Sequence, residues 1–231
     1  MAEDVLLLDT DIVSLFGRTG APPGLRPWLL KVGIGRLAIS YPTITELMRG
    51  AHLLRKSDPE RSDRITAWVK RILGTHFPAP EMSAQVAEIY AHMTSIPSLR
   101  DMWTVQRDQK SNRLGHDLMI AAVAITHRLP IVTANVQDFR KINASFRLPG
   151  VYHPMAERWY VDPTIPLTLP ELDRSAAEPS HSLLPTIGDD RMLKGFVYDK
   201  TRFSKIRSPR PGQPVYTSRP RVSAVDIRNR N

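Results

Sequence analysis

The stretch Val5-Leu6-Leu7-Leu8-Asp9-Thr10-Asp11-Ile12 decides the fold class. A run of four apolar residues has the length of a strand rather than a helix. Its lack of alternation fits a strand buried on both faces. Leu37–Tyr41 (LAISY) reads as a second strand of this kind. IVTA, Ile131 to Ala134, follows Pro130, is rich in β-branched residues and reads as a third.

Between these strands the apolar period changes to that of a helix. In SDPERSDRITAWVKRIL, Pro59 suits a first helical position, and Ile65, Trp68, Val69, Ile72 and Leu73 form one stripe. Ser83 is placed to cap a helix striped by Val86, Ile89, Tyr90 and Met93. Gly115 to His127 is small and apolar, as a helix packed closely on a sheet must be. Apolar strands separated by helices imply an α/β fold with a parallel sheet.

In such sheets ligands bind beyond the carboxyl ends of the strands, where the strand order reverses. Asp9 stands at the end of the first strand, and Asp138 lies four residues past Ala134. Two further acids open or flank helical segments: Glu46 in ISYPTITELMRG and Asp117 in GHDLMIAAVAI. Taken singly, such residues are ordinary helix caps, Asp9 or Thr10 for a helix starting near Ile12, Asp117 for its own helix. Taken together they would form a cluster of like charge. Two carboxylates about 4 Å apart repel by roughly 4 kcal/mol at an effective dielectric near 20. A hard divalent cation with oxygen preference, Mg²⁺ or Mn²⁺, relieves that repulsion, and such sites commonly serve phosphoester chemistry.

The chain has 231 residues, enough for one ordinary domain and an appendage. No apolar run approaches the 18 or so residues of a membrane span. The acidic start MAEDVLLLD lacks the form of a secretory signal, and there is no cysteine for disulfides or thiolate metal sites. A cytoplasmic location without membrane attachment is expected. The net charge of +9 is unevenly spread: residues 1–156 carry +5, residues 157–190 carry −5, and residues 191–231 carry +9. The surplus therefore belongs to the last 41 residues rather than to the domain. Nine of the 20 prolines fall after residue 156, where apolar periodicity fades. Residues 1–156 are expected to form the domain. Residues 157–231 are expected to be a largely disordered extension with at most a short ordered piece near Met192–Phe203.

The segments LLLDTDIVSLF, ITELMRGA, GHDLMIAAVAI and IVTANVQDF, in this order, resemble the PIN-domain ribonucleases, and among them the VapC-type toxins of toxin–antitoxin pairs. The likeness spans roughly residues 4–155. It implies a three-layer α/β/α domain, Mg²⁺- or Mn²⁺-dependent cleavage of RNA, homodimerisation and a cognate antitoxin. By motif position, Asp9 is the first acidic ligand, Glu46 the acid of T-x-x-E-L-x-x-G, Asp117 the acid before the IAA helix, and Asp138 the acid of T-x-N-x-x-D-F. Asp9 and Asp117 are expected to bind metal directly, and Glu46 and Asp138 to complete the set. Thr133 and Asn135 are expected to support the ligands from behind. Asp11 joins them as an added carboxylate where many relatives have Asn. Metal-activated water would leave a 5′-phosphate and a 3′-hydroxyl.

Arg49, Arg113, Arg140 and Lys141 lie close to these motifs and are candidates for RNA phosphates, although the same residue types are common as solvated charge. His116 is expected beside the site rather than as a ligand, since hard-metal sites seldom use imidazole. Two rival functions are a haloacid-dehalogenase-like phosphatase, from LLLDTD and a faint echo in Gly188-Asp189-Asp190, and a catalytically inactive RNA-binding protein.

Overall fold

The computed structural model describes residues 4–104, 115–177, 184–187 and 205–206. Its core is a five-stranded sheet of order β2-β1-β4-β5-β6. These strands are β1 (Leu6–Leu8), β2 (Leu37–Ile39), β4 (Ile131–Val132), β5 (Val151–His153) and β6 (Arg158–Val161). β1 pairs in parallel with β2 and β4, and β4 with β5. Only β6 runs antiparallel, returning from β5 through a tight connection at the edge. Beside β2 lies β3 (Ala79–Pro80), paired in parallel with β7 (Lys205–Ile206).

Alternate strand residues feed two separate cores. Leu6, Leu8, Leu37, Ile39 and Val132 face α1 (Thr10–Gly17), α2 (Leu25–Val32) and α4 (Pro59–Leu73), with α3 (Tyr41–Leu54) contributing Leu47. Leu7, Ala38, Ile131 and Val151 face α5 (Ala84–Ser95), α6 (His116–His127) and α7 (Val136–Asn143). The three-layer α/β/α arrangement thus follows from the side-chain period of two in strands that are apolar on both faces. Helix starts follow ordinary capping chemistry: Ser40, Asp58 and Ser83 side chains accept from Thr43 N, Arg61 N and Val86 N. The strand expected over Leu37–Tyr41 stops at Ile39, because Ser40 caps α3 and Pro42 fits its first turn.

The boundary expected after residue 156 falls inside the β5–β6 hairpin. The described residues beyond β6 lie on the α1/α2/α4 face, where Leu172 and Leu184 are buried in the core. Three consecutive carbonyls of this strap are taken by domain side chains: Leu184 O by Arg26 Nη2 at 2.8 Å, Pro185 O by Trp68 Nε1 at 2.7 Å and Thr186 O by Arg71 Nη2 at 2.6 Å. Trp28 Nε1 donates to Pro170 O at 2.7 Å, and Ile187 N to Gly17 O at 2.8 Å. The proline-rich composition suggested disorder. Here instead the segment is an extended chain whose carbonyls satisfy polar atoms of large buried side chains, for which no helical or strand period is needed. The ordered piece expected near Met192–Phe203 and the Arg/Pro-rich tail lie outside the described residues.

Candidate functional site: an acidic cleft at the strand ends

β2 lies on one side of β1 and β4 on the other, so the strand order reverses between β1 and β4. A cleft of about 610 Å³ opens there, and Asp9, Asp11, Glu46, Asp117 and Asp138 all line it. Each acid arrives from a different element. Asp9 is the first residue past β1 and the N-cap of α1; Asp11 lies in that helix's first turn. Glu46 stands on α3, Asp117 in the first turn of α6 and Asp138 in the first turn of α7. Gly115 sets the approach of α6. It caps the helix at φ +68°, and an added Cβ would lie 3.0 Å from both Trp103 Cβ and Tyr90 Oη.

Asp9 is almost fully buried, with 3% exposure. Its Oδ1 accepts from Thr10 N at 2.7 Å and its Oδ2 from the Thr133 hydroxyl at 2.7 Å. Burial raises its pKa well above the ordinary range, and the charges of Asp11 and Asp117 push it further. Asp11 is held from behind. Its Oδ1 accepts from Ile12 N at 2.6 Å, and its Oδ2 from Ala134 N at 2.7 Å, Asn135 N at 3.0 Å and the Thr133 hydroxyl at 3.4 Å. Burial nevertheless raises its pKa, outweighing the hydrogen bonds that favour the anion. Asn135 Nδ2 donates to Asp138 Oδ2 at 2.9 Å, so the Thr133–Asn135 turn braces Asp9, Asp11 and Asp138 together.

His116 also lines the cleft, with Nδ1 3.7 Å from Glu46 Oε2. Its pKa is lowered, first by burial; the nearby Arg49 lowers it further and Glu46 opposes the shift. This favours the neutral imidazole. Of the basic residues singled out in the sequence, Arg49 lines the cleft, Lys141 is ion-paired to Asp101 on the outside, and Arg140 is exposed away from it. Arg113 and Gly188-Asp189-Asp190 lie outside the described residues. Arg18, Ser14 and Met102 carry no motif or period; they line the cleft because α1 and the 3-10 turn Pro97–Met102 form part of its walls.

The donor set is all oxygen, as Mg²⁺ or Mn²⁺ prefers. Among the described residues no three carboxylate or imidazole groups are gathered closely enough to enclose an ion by themselves.

No family model and no curated protein matches the chain. Several solved structures have a similar fold. FitAB bound to an IR36 DNA fragment is 21% identical, covering 65% of this chain and 95% of that one, with a TM-score of 0.42. DNA-bound VapBC from Salmonella typhimurium is 24% identical, covering 64% and 96%, with a TM-score of 0.45. VapBC-1 from nontypeable Haemophilus influenzae is 17% identical, covering 61% and 93%, with a TM-score of 0.43. At these identities and TM-scores nothing about this chain is concluded from the likeness. No described helix is long and apolar enough to cross a membrane.

Proposed function

We propose that this protein is a Mg²⁺- or Mn²⁺-dependent endoribonuclease of the PIN-domain type, acting as the toxin of a toxin–antitoxin pair. One observation carries the reading. Acids separated by up to 129 positions, from Asp9 to Asp138, line a single cleft at the point of strand-order reversal, and they are the acids of the four motifs. A buried carboxylate whose neighbours are also carboxylates is unfavourable as an anion unless a cation joins it.

Asp9 and Asp117 would hold the ion directly, with Glu46 and Asp138 fixing its remaining ligands. The bound ion would supply an activated water and neutralise charge on the scissile phosphate. Thr133 and Asp11 do not reach the substrate in this scheme; they fix the carboxylate of Asp9 and the turn that carries Asp138. The same contacts argue against the phosphatase alternative. A D-x-D phosphatase needs its second aspartate free to exchange a proton with the leaving group, whereas both oxygens of Asp11 are held by the backbone N–H groups of Ile12, Ala134 and Asn135. An inactive binding protein would have no use for a buried, repelled carboxylate cluster.

The partners proposed with this activity are RNA, a cognate antitoxin and a second copy of the chain, in the cytoplasm. The test is expression alone and together with any small open reading frame found immediately upstream of the gene, mapping RNA ends in arrested cells. Growth arrest with new 5′-phosphate ends, relieved by the neighbour, is expected. Normal growth and no new ends would remove the toxin reading.

A further inference from the structure

The cleft holds two guanidiniums as well as its five carboxylates. Arg18 caps the C-terminal end of α1 and Arg49 lies on α3, one turn beyond Glu46; both line the cleft. Neither guanidinium has a hydrogen bond or ion pair among the described residues, although acids share the cleft with them. Such pairing is the default fate of an arginine among carboxylates. Left without it, the two are available to an anion.

The charge balance says what they are available for. Five carboxylates and two guanidiniums line the cleft, so acids outnumber cationic side chains in its described lining. A polyanion entering such a site is still repelled overall, so its phosphates must meet the two arginines. The cleft, at about 610 Å³, has room for more than an ion and its waters. The two arginines also differ in exposure, Arg49 being half-buried and Arg18 exposed. Arg49 and Glu46 are neighbours on one helix face, roughly 5–6 Å apart at Cβ. Arg18 is separated from Asp9 by the whole of α1, about 13 Å of axial rise.

We propose that Arg49 and Arg18 are positioning residues that bind two separate phosphates of one RNA strand, Arg49 at the acids and Arg18 at a flanking phosphate farther along the cleft. This rests on the nuclease reading for its substrate but not for its test. The division predicts different kinetic signatures. Loss of Arg18 raises KM and leaves kcat unchanged, because a flanking phosphate is held equally in ground and transition states. Loss of Arg49 lowers kcat as well, since it sits where charge develops.

The test has a binding arm and a cleavage arm. In chelator, where no cleavage occurs, the affinity for a short fluorescein-labelled single-stranded RNA is measured by anisotropy against salt for wild type, Arg18→Ala, Arg49→Ala, Arg49→Gln and both Lys variants. Each Ala or Gln variant should bind severalfold more weakly, with a log–log salt slope shallower by about 0.7, while Lys retains the slope. A structural role would lower the melting midpoint without moving the slope. Arg49→Gln keeps the half-buried stem should Arg49→Ala fold poorly. Unchanged affinity and slope in folded variants overturn the proposal. Cleavage in Mg²⁺ by the same preparations separates the two readings. A wild type that binds with the expected slopes but never cleaves sinks the nuclease reading and leaves the arginines assigned. Cleavage with unaltered slopes and KM does the reverse.

Discussion

The Thr133 hydroxyl donates to Asp9 Oδ2 at 2.7 Å, joining the residue after β4 to the residue after β1 across the point where strand order reverses. The same oxygen accepts from Asn135 N at 2.8 Å. One fully buried side chain therefore fixes both the orientation of Asp9 and the turn that leads to Asp138.

Thr133→Val keeps the volume and removes both hydrogen bonds. Groups that orient a metal ligand typically contribute about 10–100-fold in metal affinity or activity. The variant should need correspondingly more Mg²⁺ for half-maximal cleavage and lose about 1–3 kcal/mol of stability. A Mg²⁺ titration of cleavage and a urea melt check both. An unchanged Mg²⁺ requirement would deny Thr133 this role.

Asp9 sets a pH dependence in the metal-free protein. Its folded pKa is raised from the ordinary 3.8, so its contribution is fully present below that value and is lost as pH rises through the raised one. Asp9→Asn carries no such charge. The stability of wild type relative to Asp9→Asn should therefore fall with rising pH, with a limiting slope of about 1.4 kcal/mol per unit. Added Mg²⁺ should recover the loss in wild type alone. A difference independent of pH, measured by melts from acid to neutral, contradicts this.

Asp11 is predicted to matter for folding. Asp11→Ala leaves Ile12 N and Ala134 N without their acceptor, while Asn135 N keeps the Thr133 hydroxyl. A loss of about 2–3 kcal/mol is expected from the buried donors. A phosphatase acid at this position would instead show its defect in turnover, with a wild-type melt.

The strap beyond β6 should behave as part of the domain. Truncation after Val161 removes Leu172 and Leu184 and strips carbonyl partners from Trp28, Trp68, Arg26 and Arg71, so it should yield insoluble or strongly destabilised protein. Truncation after Ile206, which keeps the strap and β7, should keep the wild-type melting midpoint. Gly17→Ala, whose Cβ would stand 2.2 Å from Trp68 Cζ2, should cost about 1–3 kcal/mol through overpacking beneath the strap. Melts of the three variants decide the matter.

The parts legible in the sequence were those with a period or a motif. Leu6–Leu8 as a strand buried on both faces, the stripe of α4 and the Ser83 cap are local signals, and they follow local rules. The acids were legible because a strand end and a helix start have recognisable neighbours. What escaped depends on partners remote in the chain. Arg18 lines the cleft only because α1 forms its wall. Leu184 is buried in a core built by residues more than 100 positions earlier, Trp68 among them, and its carbonyl is taken by Arg26. Neither fact has a periodic trace. The antiparallel β6 follows from the short turn after β5, and Arg158-Trp159-Tyr160-Val161 lacks the clean alternation that would have marked it.

The most direct test of the central claim is an assay of purified protein on single-stranded RNA, with Mg²⁺, with Mn²⁺ and with chelator, in wild type and Asp117→Asn. The account predicts fragments with 5′-phosphate and 3′-hydroxyl ends from wild type with either metal. It predicts none in chelator and none from a normally folded Asp117→Asn. Cleavage that persists in chelator, or full activity in Asp117→Asn, would contradict it.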